Sequence, residues 1–225
     1  MNSKTIIKVE KVNKSFMLKK DKIRVLKDID LEVIKGQFVI IVGPSGCGKS
    51  TLLHVMLGLE KPDSGEVFIE GNNIYNITDE EMNFYRKRNI GMIYQQPNWV
   101  RSLDIEENVC LPAMMCGMMK DEALKRGREL IDKVGMLDRA KNSPIDLSSG
   151  QQQKIAFARA LMNDPAIIIA DEPTGNLDHT SALEFMTLMD LEKKRGKTII
   201  MVTHNLEYLK YADNQVHILD GSITQ

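Results

Sequence analysis

The sequence predicts an α/β fold built on a mainly parallel sheet, and three observations carry that prediction. Uniformly apolar runs at Phe38 to Val42, Ile167 to Ala170 and Thr198 to Val202 each stop abruptly at a polar or glycine-bearing loop, the pattern of strands buried on both faces. Helical patterns lie between them, at Lys49 to Leu57, Gln151 to Met162 and Ser181 to Lys194, so strand and helix alternate as in a doubly wound domain. The first of these strands also runs through a short glycine-rich loop directly into a helix. In such folds the site forms from loops at the C-terminal ends of the strands.

Taken in order, Ile6 to Val33 contains two strand-like segments separated by the lysine-rich Lys19 to Lys22, which predicts an antiparallel β layer beside the main sheet. A hairpin is predicted over Glu66 to Tyr75, turning at Gly71-Asn72. From Pro97 to Pro144 the pattern is helical with no convincing strand. Residues 97–144 therefore read as an inserted helical subdomain. They interrupt a single domain, 1–225, whose core with its β layer comprises residues 1–96 and 145–225.

Bulk properties narrow the classes of function. A net charge of -1 gives no basic footprint for phosphate-backbone binding, so nucleic acid is not an expected partner. The three cysteines, Cys47, Cys110 and Cys116, lack paired spacing. That fits reduced thiols in a cytoplasmic setting better than a disulfide framework or a structural metal. Met1 to Lys14 lacks the apolar core of a signal peptide. The least polar stretch, Val109 to Met119, is far shorter than the roughly 18 apolar residues that span a bilayer. Any membrane association is expected to pass through a partner.

The glycine-rich loop is Gly43-Pro44-Ser45-Gly46-Cys47-Gly48-Lys49-Ser50-Thr51, and between a strand and a helix this is a P-loop in its required context. Glycines let backbone N–H groups turn inward, and the helix N-terminus adds partial positive charge, so anionic phosphates have a preformed seat. Lys49 is expected to reach the β and γ phosphates, the Ser50 hydroxyl to ligate Mg²⁺, and Thr51 to add a phosphate hydrogen bond. The core is thereby read as that of a P-loop NTPase.

Ile167 to Ala170 runs straight into Asp171-Glu172. Two carboxylates at the end of a buried strand are costly unless a cation sits there. Asp171 is the candidate partner of Mg²⁺, and Glu172 is placed to polarise a water attacking the γ-phosphate. With Pro173 and Thr174 following, the pair read alone also fits a helix N-cap. His204, at the end of the Thr198 to Thr203 strand, reads on spacing alone as structural.

One more segment carries a family resemblance. Leu147-Ser148-Ser149-Gly150-Gln151-Gln152-Gln153-Lys154 precedes a helix about twenty residues ahead of the acidic strand, and it closely resembles the ABC signature motif. With the P-loop, the acidic strand, Gly175-Asn176-Leu177-Asp178 and Thr203-His204 in the same order, the chain resembles an ABC ATPase over nearly its whole length. The resemblance implies ATP and Mg²⁺ as cofactors. It makes Gln95 a magnesium contact linked to a transmembrane partner, His204 a switch that holds the γ-phosphate, and Phe16 an aromatic platform for adenine. It also implies a head-to-tail dimer with a second copy, in which Ser148, Ser149, Gly150 and Gln151 lie at the ATP held by the other copy's P-loop.

Within the family, Glu172 to Asp178 and the Gln95-Gln96 pair look most like the lipoprotein-releasing, macrolide-export and antimicrobial-peptide-export branch. That implies a cytoplasmic chain held on the inner face of the cell membrane through a permease partner. A regulatory or cell-division role without transport is the alternative. The chromosome-maintenance relatives are disfavoured, because only about a hundred residues separate P-loop and signature, with no heptad run. The ribosome-associated relatives usually carry two cassettes and a basic linker, which this chain lacks. Departures include Ser149 in place of a glycine, Lys154 for arginine, Phe16 for tyrosine, and Pro97, Trp99 and Val100 after the glutamines. Met114, Met115, Met118 and Met119 read first as core packing, and second as an apolar groove for a helix of the permease.

Overall fold

The computed structural model describes residues 5–19 and 21–224. Along the chain run β1 (Thr5–Leu18), β2 (Asp21–Ile34), β3 (Phe38–Val42), α1 (Lys49–Met56), β4 (Ser64–Ile69), β5 (Asn72–Asn73), α2 (Asp79–Asn89), β6 (Ile90–Tyr94), α3 (Ile105–Met114) and α4 (Lys120–Lys133). They continue with α5 (Ser149–Ala160), β7 (Ile167–Asp171), α6 (His179–Lys194), β8 (Thr198–Thr203), β9 (Asn214–Leu219) and β10 (Ser222–Thr224). Packing divides the chain into two compact units, residues 1–83 with 198–225, and residues 84–197.

In the first unit an antiparallel layer runs in the order β2-β1-β4-β5, as the lysine-interrupted N-terminal pattern predicts. Its inward face is Ile7, Val9 and Val12 of β1 with Leu26, Ile29 and Val33 of β2, all buried. The β4–β5 turn falls one residue earlier than the sequence suggests. Asn72 already pairs with Ile69, and Glu70 and Gly71 take left-handed φ values of 50° and 84°. The reason is handedness: a two-residue turn with both φ values positive matches strand twist and favours glycine at its second position.

The same unit holds β3 between β8 and β9, parallel to both, with β10 antiparallel on β9. Every residue of β3 and β8 is buried, which is why both read as unbroken apolar runs. Two side chains fix the edges of this arrangement. Thr198 Oγ1 accepts from the Gly36 N–H at 2.9 Å, and Asp213 Oδ2 accepts from the Phe38 N–H at 2.8 Å.

In the second unit β6 lies parallel to β7, with Ile90 opposite Ile167 and Tyr94 opposite Asp171. Helix α3 opens on a capping box between Asp104 and Glu107, which satisfies two end N–H groups reciprocally. The buried Asn108 amide donates to the carbonyls of Val100, Leu103 and Asp104 and accepts from the Val100 N–H. One side chain thus ties down the loop that enters the helix. Glu106, fully buried, pairs with Arg128 at 2.9 Å and Lys141 at 3.2 Å. Phe157 of α5 meets Phe185 of α6 edge to face, with ring centres 5.8 Å apart.

The methionines depart from the core-packing reading. Met114, Met115 and Met119 are 40%, 64% and 75% exposed. They lie where α3 ends and α4 begins, and Met118 between them is half-buried. Among the described residues no helix is long and apolar enough to cross a membrane.

Candidate functional site

The first unit carries the phosphate loop. β3 delivers Gly43 at its C-terminal end, and the chain turns through Gly46 and Gly48, both left-handed at φ 79° and 107°. Neither conformation suits a residue with a Cβ. Gly48 is the N-cap of α1 and brings no side chain, so no side-chain cap covers the positive end of the helix. Lys49, buried, curls back over the loop and donates to the carbonyls of Gly43 at 2.9 Å and Pro44 at 3.0 Å. Ser45 and Gly46 are exposed, Cys47 is buried, and Ser50 and Thr51 are half-buried in the first turn of α1.

Phe16 lies near the tip of the β1–β2 ribbon opposite Ile23, exposed, with the Lys14 ammonium 5.0 Å from its ring centre. Lys14 is held in turn by the Lys61 carbonyl at 2.7 Å and by Glu60. His204 follows the last residue of β8 and is exposed. Its turn is fixed by Thr203 Oγ1, which accepts from the Asn205 N–H at 3.1 Å, and by Asn205 Oδ1, which accepts from the Glu207 N–H at 2.9 Å.

The second unit carries the acidic strand end. Asp171 is the last residue of β7, and Glu172 follows with φ 47°. A left-handed glutamate costs roughly 1–2 kcal/mol, and such strain concentrates at functional positions. The N-cap of the following helix is not this pair but Asp178. Its carboxylate accepts from the Ser181 N–H at 2.9 Å and the Ser181 hydroxyl at 2.6 Å, and those bonds hold it below the usual carboxylate range. Gln95 follows β6 and donates to Asn176 Oδ1 at 3.4 Å. A Cβ at Gly175 would stand 2.6 Å from Gln95 Nε2, so glycine there lets the two loops approach.

Ser148, Ser149, Gly150 and Gln151 open α5 through a second capping box. Ser148 Oγ accepts from the Gln151 N–H at 3.3 Å, while Gln151 Oε1 accepts from the Ser148 N–H at 3.0 Å. This Ser-x-x-Gln signal is legible in the sequence and explains why the helix starts earlier than its apolar pattern suggests. Ser148 and Ser149 are exposed, whereas Gly150 is buried, and a Cβ on it would meet Ser181 Oγ at 2.7 Å.

Sequence reasoning missed the anchorage of the loop after Gln95. Gln153 Nε2 donates to the Tyr94 carbonyl at 3.0 Å, an Arg159 amino group to the Asn98 carbonyl at 2.8 Å, and Trp99 Nε1 to Gln152 Oε1 at 2.8 Å. The Arg159 guanidinium also lies 4.5 Å from the centre of the Trp99 ring, and burial lowers its pKa. Trp99 thus serves as a staple onto α5. Beside it lies a cavity of about 470 Å³ lined by Gln95, Arg101, Ile145, Ser149 and Leu177 among others.

A family model described as "ABC transporter" matches residues 26–175. The chain is 42% identical to the lipoprotein-releasing system ATP-binding protein LolD of Bacteroides thetaiotaomicron, over 97% of this chain and 99% of that protein. It is 40% identical to the macrolide export ATP-binding/permease protein MacB of Aggregatibacter actinomycetemcomitans, over 97% of this chain but only 34% of that longer protein. Among solved structures, a dimeric ATP-binding cassette in a post-hydrolysis state, bound to ADP and Pi, superposes with a TM-score of 0.91. It is 35% identical and covers 98% of this chain and 97% of that one.

Proposed function

Since this chain belongs to the ABC transporter family as its ATP-hydrolysing cassette, we propose that two copies close head to tail around two ATP molecules and drive a membrane permease. The observation that carries the shared-site reading is the exposure of Ser148 and Ser149 at the N-terminus of α5. Small residues at the positive end of a helix suit an anion brought by another molecule.

The residue roles follow from chemistry. Lys49 exchanges the carbonyls of Gly43 and Pro44 for β- and γ-phosphate oxygens, which offer a charge-assisted bond. Ser45, Gly46, Cys47, Gly48 and Thr51 surround the phosphates with backbone and hydroxyl donors, and Phe16 stacks on adenine. The Ser50 hydroxyl, the Asp171 carboxylate and the Gln95 amide oxygen are all hard oxygen donors, the set that suits Mg²⁺. Held by such donors, that ion would neutralise charge on the phosphates. Glu172 accepts the proton of the water whose oxygen attacks the γ-phosphorus as the bond to the ADP oxygen breaks, and His204 holds the γ-phosphate.

ATP touches both copies only in the closed dimer, so binding favours closure and hydrolysis releases it. The names of the relatives favour an export or lipoprotein-translocating permease, with the cassette held at the cytoplasmic face of the membrane through that partner. Exposed Met115 and Met119 offer the permease an apolar contact.

The test is size-exclusion chromatography with ATP and Mg²⁺, comparing the native chain with Glu172→Gln, alongside steady-state ATPase assays. Turnover is expected to fall by roughly 10²- to 10⁴-fold while an ATP-dependent dimer accumulates. Persisting turnover with no dimer under any nucleotide would overturn the reading.

A further inference from the structure

The phosphate loop is braced from behind by the C-terminal hairpin. β9 and β10 are joined by the two-residue turn Asp220-Gly221, with φ values of 48° and 80°, and Leu219 pairs with Ser222 across it. The Gly221 N–H donates to the Cys47 carbonyl at 3.1 Å, and the Gly221 carbonyl accepts from the Lys27 N–H at 2.7 Å. A Cβ at Gly221 would come within 2.4 Å of the Val25 carbonyl oxygen, and one at Gly48 would meet the same oxygen at 2.8 Å. β2, the hairpin turn and the loop therefore meet backbone to backbone.

Peptide geometry gives this tie a direction. The Cys47 carbonyl and the Gly48 N–H belong to one trans peptide unit, so they point opposite ways. Holding the carbonyl toward Gly221 on the back of the loop turns the Gly48 N–H to the other side, as a donor available to an anion. A free loop would have to restrict that peptide when ligand arrives, and preorganisation removes the cost.

We propose that Gly221 is a positioning residue for nucleotide binding. It fixes the Cys47–Gly48 peptide and thereby sets the affinity of the loop for the polyphosphate of ATP and ADP. The inference rests on residues 43–51 being the nucleotide seat.

Gly71 supplies a matched control. The Glu70-Gly71 turn has nearly the same backbone, with φ 50° and 84°, yet a Cβ on Gly71 would meet nothing within 4 Å. The experiment measures Kd for ADP and ATP by calorimetry on the full chain and on Gly221→Ala, Gly71→Ala and Lys49→Ala, with thermal midpoints recorded without nucleotide. Gly221→Ala is expected to weaken both nucleotides by at least about tenfold, and Gly71→Ala by less than about twofold. Equal effects in the two glycine variants, or unchanged affinity in Gly221→Ala, overturn the proposal while loss of binding in Lys49→Ala leaves the nucleotide seat standing. Unchanged affinity in Lys49→Ala overturns the seat itself, and the proposal with it. Should Gly221→Ala fail to fold, hydrogen exchange on the unsubstituted chain decides. Saturating ADP is expected to slow exchange of the Gly221 amide at least about tenfold, and an unaltered rate overturns the proposal.

Discussion

The Lys49 ammonium and the Gly43 carbonyl lie 2.9 Å apart, so the cation proposed to receive phosphate also holds its own loop closed. Bonds to a charged group are worth about 1.5–3 kcal/mol each. Lys49→Ala is therefore expected to weaken ATP binding on the order of 10- to 100-fold, measured by calorimetry. Affinity within a factor of about two of the native chain would remove Lys49 from the binding machinery.

Ser148 caps α5 and is proposed to face a second copy's nucleotide, two tasks that substitution can separate. Ser148→Ala removes the cap and is expected to cost about 1 kcal/mol in urea unfolding. Ser148→Asp restores a strong cap, and its charge suits the helix N-terminus. The same carboxylate would oppose incoming phosphates, so this variant is expected to keep native stability yet form no ATP-dependent dimer. A normal dimer in Ser148→Asp would place the nucleotide contact elsewhere.

The Trp99–Gln152 bond is measurable as a coupling. In a cycle of Trp99→Phe, Gln152→Ala and the double variant, the interaction is expected at about 0.5–1.5 kcal/mol. The chain has one tryptophan, so unfolding is followed by circular dichroism. Additive effects would show that the loop after Gln95 is held by its other two contacts alone.

Cys110 is buried, and that burial, aided by Glu106 and Asp104, pushes its thiol up to about 11. A thiol whose folded pKa exceeds its unfolded value favours folding below the unfolded pKa and loses that advantage as pH rises through the folded one. Unfolding free energy should therefore fall between about pH 8.5 and pH 11. Cys110→Ala is expected to show a shallower decline over the same window, and parallel curves would contradict the assignment.

What was legible in the sequence divides along physical lines. β3, β7 and β8 announce themselves because both faces are buried. The phosphate loop and acidic strand end announce themselves because their chemistry requires particular residues in fixed order. Helix α2 gives no periodic signal, because Met82 is its sole buried residue, leaving no apolar stripe. Its start was written instead in Thr78 and Glu81, where the Thr78 N–H donates to the glutamate at 2.8 Å and Thr78 Oγ1 accepts from the Glu81 N–H at 3.2 Å. β9 alternates buried and open positions and is too short for periodicity to single out. The anchoring of Trp99 by Gln152 and Arg159 joins residues more than fifty positions apart, beyond the reach of local pattern. So does the exposure of Met115 and Met119, which depends on what the neighbouring helices leave uncovered.

The strand bearing the phosphate loop has both of its ladder neighbours, β8 and β9, in the segment after residue 197. A nascent chain that has emerged through α6 therefore exposes β3 with neither neighbour yet made, and its loop with no Gly221 behind it. Domains fold as units during synthesis, and this unit cannot finish until β8 and β9 have left the ribosome. Competence to hold ATP thus waits on β8 and β9, so a polypeptide cut short before β9 lacks the neighbours that seat the strand bearing its phosphate loop.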